Sequence, residues 1–180
     1  MKTTTLELRG GRRSRHRRGC KVVGHAIVLD DAFTRDTLAK ISWHMTAKGY
    51  PAMMVRTADG KRGIAYLHKF VYEHYHGLIP LGKEIDHEDR NKLNNVPKNL
   101  RLVTHSVNGA NTPKRRTNTS GYKGVSWHKQ IKKWDARIQK AGKQIYLGLF
   151  TNIRSAARAV NQAYRKHFPE VSIPNPEAEA

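Results

Sequence analysis

Cysteine is nearly absent from this chain: Cys20 stands alone among 180 residues. A disulfide framework within the chain and a cysteine-built zinc site are thereby excluded. Long apolar runs are missing too. No stretch approaches the roughly 20 apolar residues that a membrane-spanning helix needs, and the opening MKTTTLELRGG lacks the apolar core of a secretory signal. Acidic residues are scarce, 14 against 34 lysines and arginines, which leaves a formal net charge of +20. Such an excess says nothing about fold, but it calls for a polyanionic partner. These absences predict a soluble intracellular protein without secretion signal or membrane association, and they favour nucleic acid as the partner.

A chain of 180 residues holds one domain or two small ones. RGGRRSRHRRGCK (9–21) has no apolar periodicity and reads as a disordered basic arm, spanning 1–22, that neutralises phosphates. HAIVLDDAF reads as a short strand entering a turn, and Leu38, Ile41 and Met45 then fall at helical spacing. GYPAMMVRTADGKRG reads as a strand with a turn at Asp59–Gly60. Ile64, Leu67, Val71 and Tyr75 form one helical stripe that stops at Gly77, with Pro80 beyond.

KEIDHE and LRLVT then read as strands flanking the polar loop DRNKLNNVPKN, and Ser106 is the expected N-cap of a short helix, VNGAN. TPKRRTNTSG, polar and basic, reads as a linker. Beyond it, YKGVSWHK, KWDARIQK and KQIYLGLF alternate as three strands, and Ile153, Ala156, Val160 and Tyr164 mark one face of a helix. A proline-broken, acidic tail closes the chain. The expected segments are an arm at 1–22, a first domain at 23–111, a linker at 112–120, a second domain at 121–168 and a tail at 169–180.

IDHEDRNKLNN (85–95) carries the chemistry of the first domain. Its Asp-His pair reads either as loop polarity or as a site for a metal and a water. Phosphodiester hydrolysis needs a water made nucleophilic and a cation on the phosphate and leaving oxygen. A neutral histidine can take the water's proton, and oxygen donors from Asp and Asn suit magnesium or manganese. Neighbours on a strand point to opposite faces, so Asp86 and His87 share a site only where the strand bends or ends. Asn108 lies far enough along to return from the helix.

HGLIPLGKEIDHEDRNKLNNVPKNLRLVTHSVNGAN resembles the HNH endonucleases of phages and mobile introns over about residues 67–111. The shared elements are an Asp-His, an Asn-rich loop, NL opening the second strand, and a Ser-x-Asn helix. The resemblance implies an α+β, ββα-metal (His-Me finger) nuclease domain using magnesium or manganese and no small-molecule cofactor. It implies His87 as general base, Asp86 and Asn108 as metal ligands, and Asn99 as the structural residue tying loop to strand. One departure is Arg90, where the family often has glycine in a tight turn. His68 reads equally as a packing residue or a neighbour of the site. His74 and His76 read as favourable charges at a helix C-terminus, and His105 as a surface residue.

In the second domain alternation sorts side chains into two faces. Trp134, Ala136, Ile138, Ile145, Leu147 and Leu149 are expected to face the helix. Asp135, Arg137, Gln139, Gln144 and Tyr146 occupy the opposite face with Ser126 and His128, and Lys129, Lys132, Lys133, Lys140 and Lys143 ring the turns. Such a sheet can enter a major groove, polar side chains reading bases and lysines holding phosphates. Trp127 and Trp134 can instead be read as packing residues, the reading preferred for Trp134. SGYKGVSWHKQIKKWDARIQKAGKQIYLGLF and AARAVNQAYRK resemble the APETALA-two (ethylene-response-factor) DNA-binding domain, a small three-stranded antiparallel sheet packed on one helix. By position the resemblance implies DNA contacts from Lys123, Ser126, His128, Gln139 and Tyr146, to which the face adds Lys129, Arg137 and Lys143. Asp135 departs from it, and is expected to pair with Arg137 or accept from a cytosine amino group.

The reading that unites these features is a homing-type, metal-dependent HNH endonuclease acting as a monomer on double-stranded DNA, in the cytoplasm of a bacterial host if phage-encoded. A non-catalytic DNA-binding regulator on the same scaffold and a basic RNA-binding protein are the competing readings. The second leaves the Asp-His-Asn register as coincidence.

Overall fold

The structure, a computed structural model, describes residues 2–9 and 22–179. The chain divides into two compact units, Met1–Leu81 with Ile85–Leu102, and Gly82–Glu84 with Val103–Ala180. Among the described residues no helix is long and apolar enough to cross a membrane.

The first unit opens with β1 (Thr3–Arg9) and β2 (Val22–Leu29), paired antiparallel. β1 buries Leu6 and Leu8 and exposes the residues beside them, as a strand with one face on a core must. Part of the segment expected to be an arm is therefore sheet, and the disorder expected of the arginine run falls on residues outside those described. β3 (His44–Met45), β4 (Pro51–Arg56) and β5 (Arg62–Tyr66) complete a five-stranded sheet in the order β2-β1-β3-β4-β5. The turn between β4 and β5 places Gly60 at φ 77°, as the Asp-Gly pair predicts.

Between β2 and β3 the longer helix expected from Leu38, Ile41 and Met45 does not form. Instead α1 (Ala32–Asp36) gives way to a 3₁₀ turn at Leu38–Lys40. The buried Trp43 explains the break: its Nε1 donates to the Leu38 carbonyl at 3.0 Å, which residue 42 would claim in a continuing α-helix. α2 (Leu67–His76) also starts later than its apolar stripe predicts, since Ile64 lies in β5 and is 51% exposed. It ends at Gly77, whose N–H donates to the Glu73 carbonyl at 3.1 Å. Leu8, Val28, Leu38, Trp43, Leu67, Val71, Ile85 and Leu100 make up much of one core in this unit.

β6 (Lys83–His87) and β7 (Leu100–Thr104) form the two-stranded hairpin, and α3 (His105–Asn111) follows. Thr104, not Ser106, caps α3, accepting from Val107 N at 3.4 Å. Ser106 Oγ accepts from Ala141 N at 3.0 Å instead, so a contact remote in sequence claims the hydroxyl.

In the second unit β8 (Val125–His128), β9 (Lys133–Lys140) and β10 (Lys143–Phe150) form an antiparallel sheet, and α4 (Ile153–His167) packs on it. Ile153, Ala156, Val160 and Tyr164 face the sheet as expected, and the alanines let helix and sheet approach closely. Gly124 has no substitute: at φ 78° a Cβ there would stand 2.6 Å from the Arg137 carbonyl oxygen. A bulge between Tyr146 and Gly148 brings Phe150 opposite Trp134 and Leu149 opposite Asp135. One extra residue reverses the alternation, so Phe150 joins the core in the place expected for Leu149.

Two segments read as loose are bonded in place. In 112–121, Lys114 Nζ donates to Gly121 O at 2.6 Å, and Asn118 Oδ1 accepts from Gly121 N at 2.8 Å. The polar composition that suggests a linker here supplies side chains that satisfy the backbone. α3 packs with this unit, Ala110 lying in its core beside Val107. The closing tail returns to the same core through Phe168, Val171 and Ala178. It is locked by two buried asparagines: Asn175 N donates to Asn161 Oδ1 at 3.1 Å, and Asn161 Nδ2 donates to Asn175 O at 2.8 Å. Asn175 also accepts from Lys123 N at 2.7 Å and donates to Lys123 O at 3.0 Å. Asn175→Ala strips two part-buried backbone groups of their partner, so thermal unfolding should show a loss of about 2–4 kcal/mol, whereas truncating exposed Gln162 should change little.

Candidate active site

β6 delivers Asp86 and His87 side by side, and both are buried, at 6% and 4% exposure. Neighbours in mid-strand point to opposite faces, and here both faces are covered, Ile85 being buried as well; β6 ends at His87. Arg90 N donates to His87 O at 2.9 Å and closes a turn. Arg90 adopts φ 63° there, so the turn forms without the family's glycine, at a cost of about 1 kcal/mol.

Arg101, on β7, holds Asp86: its Nε and Nη2 both donate to Oδ2, at 3.1 and 2.9 Å. His87 is fixed by Asn95, whose Oδ1 lies 3.3 Å from His87 Nε2. Asn95 is itself oriented, since its Nδ2 donates to Lys92 O at 3.2 Å and its N–H to Ile27 O at 2.8 Å. Its oxygen must therefore face the imidazole, which selects the Nε2–H tautomer and puts the basic lone pair on Nδ1. Burial holds His87 below the ordinary imidazole range, against the opposing pull of the Asn95 bond and the Asp89 and Asp86 charges. This favours the neutral imidazole near pH 7.

The asparagines of the loop each bond backbone or acid. Asn99 Nδ2 donates to Asp89 Oδ1 at 2.9 Å and Asn94 O at 2.7 Å, while its Oδ1 accepts from Asp89 N at 3.1 Å. Asn94 Nδ2 donates to Asp89 Oδ2 at 2.7 Å, and Asn91 Oδ1 accepts from Leu93 N at 3.1 Å. Burial raises the Asp89 carboxyl, but bonds from Asn94, Asn91 and Asn99 outweigh it and hold the group below the usual range. Ile27 N donates to Leu93 O at 2.7 Å, stitching the loop to β2.

His68 lies against His87, ring centroids 5.3 Å apart and edge to face, with Tyr50 and Tyr66 beside it. Its Nδ1 has no partner among the described residues. Burial, with the nearby His87 and Lys69 charges, pushes it down to about 3. His74 stacks on Phe33 at 3.6 Å and His76 Nε2 lies 3.3 Å from Pro97 O, so both pack within the first unit.

Asn108 lies on α3 in the second unit, where its Nδ2 donates to Glu84 Oε2 at 2.6 Å. His105 Nδ1 lies 2.8 Å from the other oxygen of Glu84. The sequence reading missed Glu84, Asn95 and Arg101. Only Glu84 carries a sequence signal, standing two residues before Asp86 and so on the same strand face.

Among the described residues no three His, Cys, Asp or Glu side chains cluster as a self-sufficient metal cage. Of the two expected ligands, Asp86 lies in the first unit with its Oδ2 held by Arg101, and Asn108 lies in the second with its Nδ2 on Glu84; each carries oxygen donors. Such hard oxygen donors fit magnesium or manganese, which keep several waters and need few protein ligands.

On the sheet of the second unit, cross-strand register puts Ser126 opposite Asp135, His128 opposite Lys133, Gln139 opposite Gln144, and Arg137 opposite Tyr146. Ser126, Arg137 and Gln139 are exposed, and Tyr146 is 58% exposed; Lys129 and Lys143 stand exposed at the turns and His128 is half-buried. Asp135 is not presented to solvent: it is 3% exposed and gripped by Arg137, whose Nε donates to Oδ1 at 2.7 Å and whose Nη2 bonds Oδ2. The bond and charge of Arg137 hold its carboxyl below the usual range. Lys123 also turns away from this face, its Nζ donating to Ala110 O at 2.7 Å and Thr112 O at 2.5 Å.

The chain is similar in sequence to known proteins. The family model described as HNH endonuclease matches residues 65–110. The mimivirus protein named Uncharacterized HNH endonuclease L560, of Acanthamoeba polyphaga mimivirus, is 30% identical over 139 residues, covering 77% of this chain and 68% of its own. Protein 3.8 of Escherichia phage T7 is 43% identical over 77 residues, 43% of this chain and 64% of that protein. APETALA2-like protein 2 of Oryza sativa subsp. indica is 40% identical over 48 residues, 27% of this chain but only 11% of the rice protein. The chain belongs to the HNH endonuclease family. It spans less than two thirds of the T7 protein and about a tenth of the rice protein.

Burial of His68 makes stability depend on pH with a definite sign. Unfolded, the imidazole takes a proton near pH 6.5; folded, it resists until about 3. Stability is therefore complete above the unfolded value and falls as pH drops through this window. Denaturant unfolding at pH 7 and pH 5 should differ by about 2 kcal/mol from His68 alone, and His68→Phe should remove most of that difference. An equal loss in both proteins would show that His68 is protonated in the folded state.

Proposed function

We propose that the chain is a homing-type, metal-dependent endonuclease that hydrolyses phosphodiester bonds in double-stranded DNA, with the sheet of the second unit finding the site. The observation that carries this reading is His87: a buried, neutral imidazole, fixed in one tautomer by Asn95, beside the carboxylate of Asp86. The charge of +20 supports a polyanionic substrate, and the exposed polar face of Ser126, Arg137, Gln139 and Tyr146 supports base contacts in a major groove.

In this reading His87 takes the proton of the attacking water at Nδ1 while Asn95 accepts from Nε2–H, holding the ring in line. Arg101 fixes the Asp86 carboxylate. Asp86 and Asn108 are the side chains that would hold magnesium or manganese, which when bound stabilises charge on the phosphate and the leaving oxygen. Asn99 and Asp89 keep the loop rigid behind the base. Lys129 and Lys143 hold phosphates at the sheet's turns. The protein acts as a monomer, in the cytoplasm of a bacterial host if phage-encoded.

Two measurements test the reading. His87→Ala should lower cleavage of duplex DNA at least about a hundredfold while leaving DNA affinity within twofold of wild type. Removal of divalent ions by a chelator should stop cleavage and leave binding, since the sheet face uses no metal. Wild-type cleavage rates in the purified His87→Ala protein would exclude His87 as the base. A chain that binds DNA but never cuts it, with any divalent ion, would instead be a regulator on a nuclease scaffold.

A further inference from the structure

The second unit contains a cleft of about 470 Å³ that lies outside the residues discussed for catalysis and extends beyond the reading face. It follows the edge of β9 that β8 leaves bare. β8 pairs with β9 as far as Val125↔Ala136, and Arg137 N then donates to Gly124 O at 2.8 Å. From Ile138 to Lys140, β10 is the one strand partner of β9 among the described residues. Because the Arg137 N–H points away from β10, the two-residue period of the ladder aims the Gln139 N–H the same way, into the cleft.

The opposite wall is built from α3 and residues 112–118, and Lys114 and Arg115 line it. That wall is held in shape by its own bonds. Lys114 Nζ donates to Gly121 O, Asn118 N donates to Arg115 O at 3.0 Å, and Ala141 N to Ser106 Oγ closes one end. Among the described residues no acidic side chain lines the cleft, while Lys114, Arg115, Lys123 and Arg137 do. Arg137 is paired with Asp135 and Lys123 spends two of its three donors on carbonyls, whereas Lys114 spends one on Gly121 O and keeps two, so Lys114 and Arg115 offer a ligand the most charge. Arg137, Gln139 and Gln144 belong both to the cleft and to the reading face, which makes the two surfaces continuous.

We infer that this cleft takes the phosphodiester backbone of one strand of the duplex read by the sheet. Lys114 and Arg115 neutralise its phosphates and the Gln139 N–H donates to a phosphate oxygen. The segment that looks like a linker is then a phosphate clamp beside the reading face, a role that rests on the proposed DNA target.

The test is a salt series of binding to a mixed-sequence DNA duplex, measured by fluorescence anisotropy on the full chain in chelator so that nothing is cut. Lys114→Gln with Arg115→Gln should reduce the slope of log affinity against log salt by about two units, one for each phosphate no longer neutralised. Arg115→Gln alone, whose side chain makes none of the segment's own bonds, should take about one unit and leave the melting profile unchanged. Lys166→Gln, on α4 and outside the cleft, should leave the slope unaltered. A slope equal to wild type in both cleft variants, or an equal loss from Lys166→Gln, would overturn the clamp. Wild-type protein that fails to bind duplex even at low salt would overturn the DNA reading itself, whereas wild-type binding with unaltered cleft variants removes only the clamp.

Discussion

The first unit is organised around burying two polar neighbours, Asp86 and His87, at the end of one strand. A buried polar group without a partner costs more than most single contacts return, so each needs dedicated company. Arg101 meets the carboxylate and Asn95 meets the imidazole. Asn95 can do so only because Lys92 and Ile27 fix its amide, and that requires the loop to be stitched to β2. The run of asparagines follows from the same demand: short amides can serve a crowded backbone as both donor and acceptor. Even the left-handed Arg90 is a consequence, because the chain must turn sharply to keep His87 inside.

The second unit meets a related demand differently. Asp135 is drawn below the exposed polar face of the sheet and paired there with Arg137. The pair holds the guanidinium in one orientation. The bulge beside Tyr146 has a similar effect on shape, turning Phe150 inward and freeing the end of the strand from the core register.

α3 joins the two themes. Its Asn108 is oriented by Glu84, while Ala110 is buried in the core of the second unit and the Ala110 carbonyl is capped by Lys123. A helix of seven residues is too short to be stable by propensity alone. Its conformation is therefore set by packing, and the residues that pack it come from the sheet and from α4.

Much of this was legible in the sequence. The period-two and helical patterns of β4, β6 to β10 and α4 are carried by neighbouring residues, and local alternation is decided by which side chains can be buried. Asp86, His87 and Asn108 stood out by residue type and spacing, and Asn99 through the resemblance to HNH endonucleases. Other features were decided by contacts between residues far apart in the chain. The broken helix after α1 depends on Trp43 reaching back to Leu38, the exit of Leu149 on a bulge, and the ordered segment at 112–121 on bonds that a polar composition does not distinguish from solvation. Asn95 and Arg101 lie eight and fifteen residues from the groups they hold. The amino-acid order determined which chemistry was present and on which elements; tertiary structure decided which partner each polar group found, because a hydrogen bond depends on distances that only the folded chain sets.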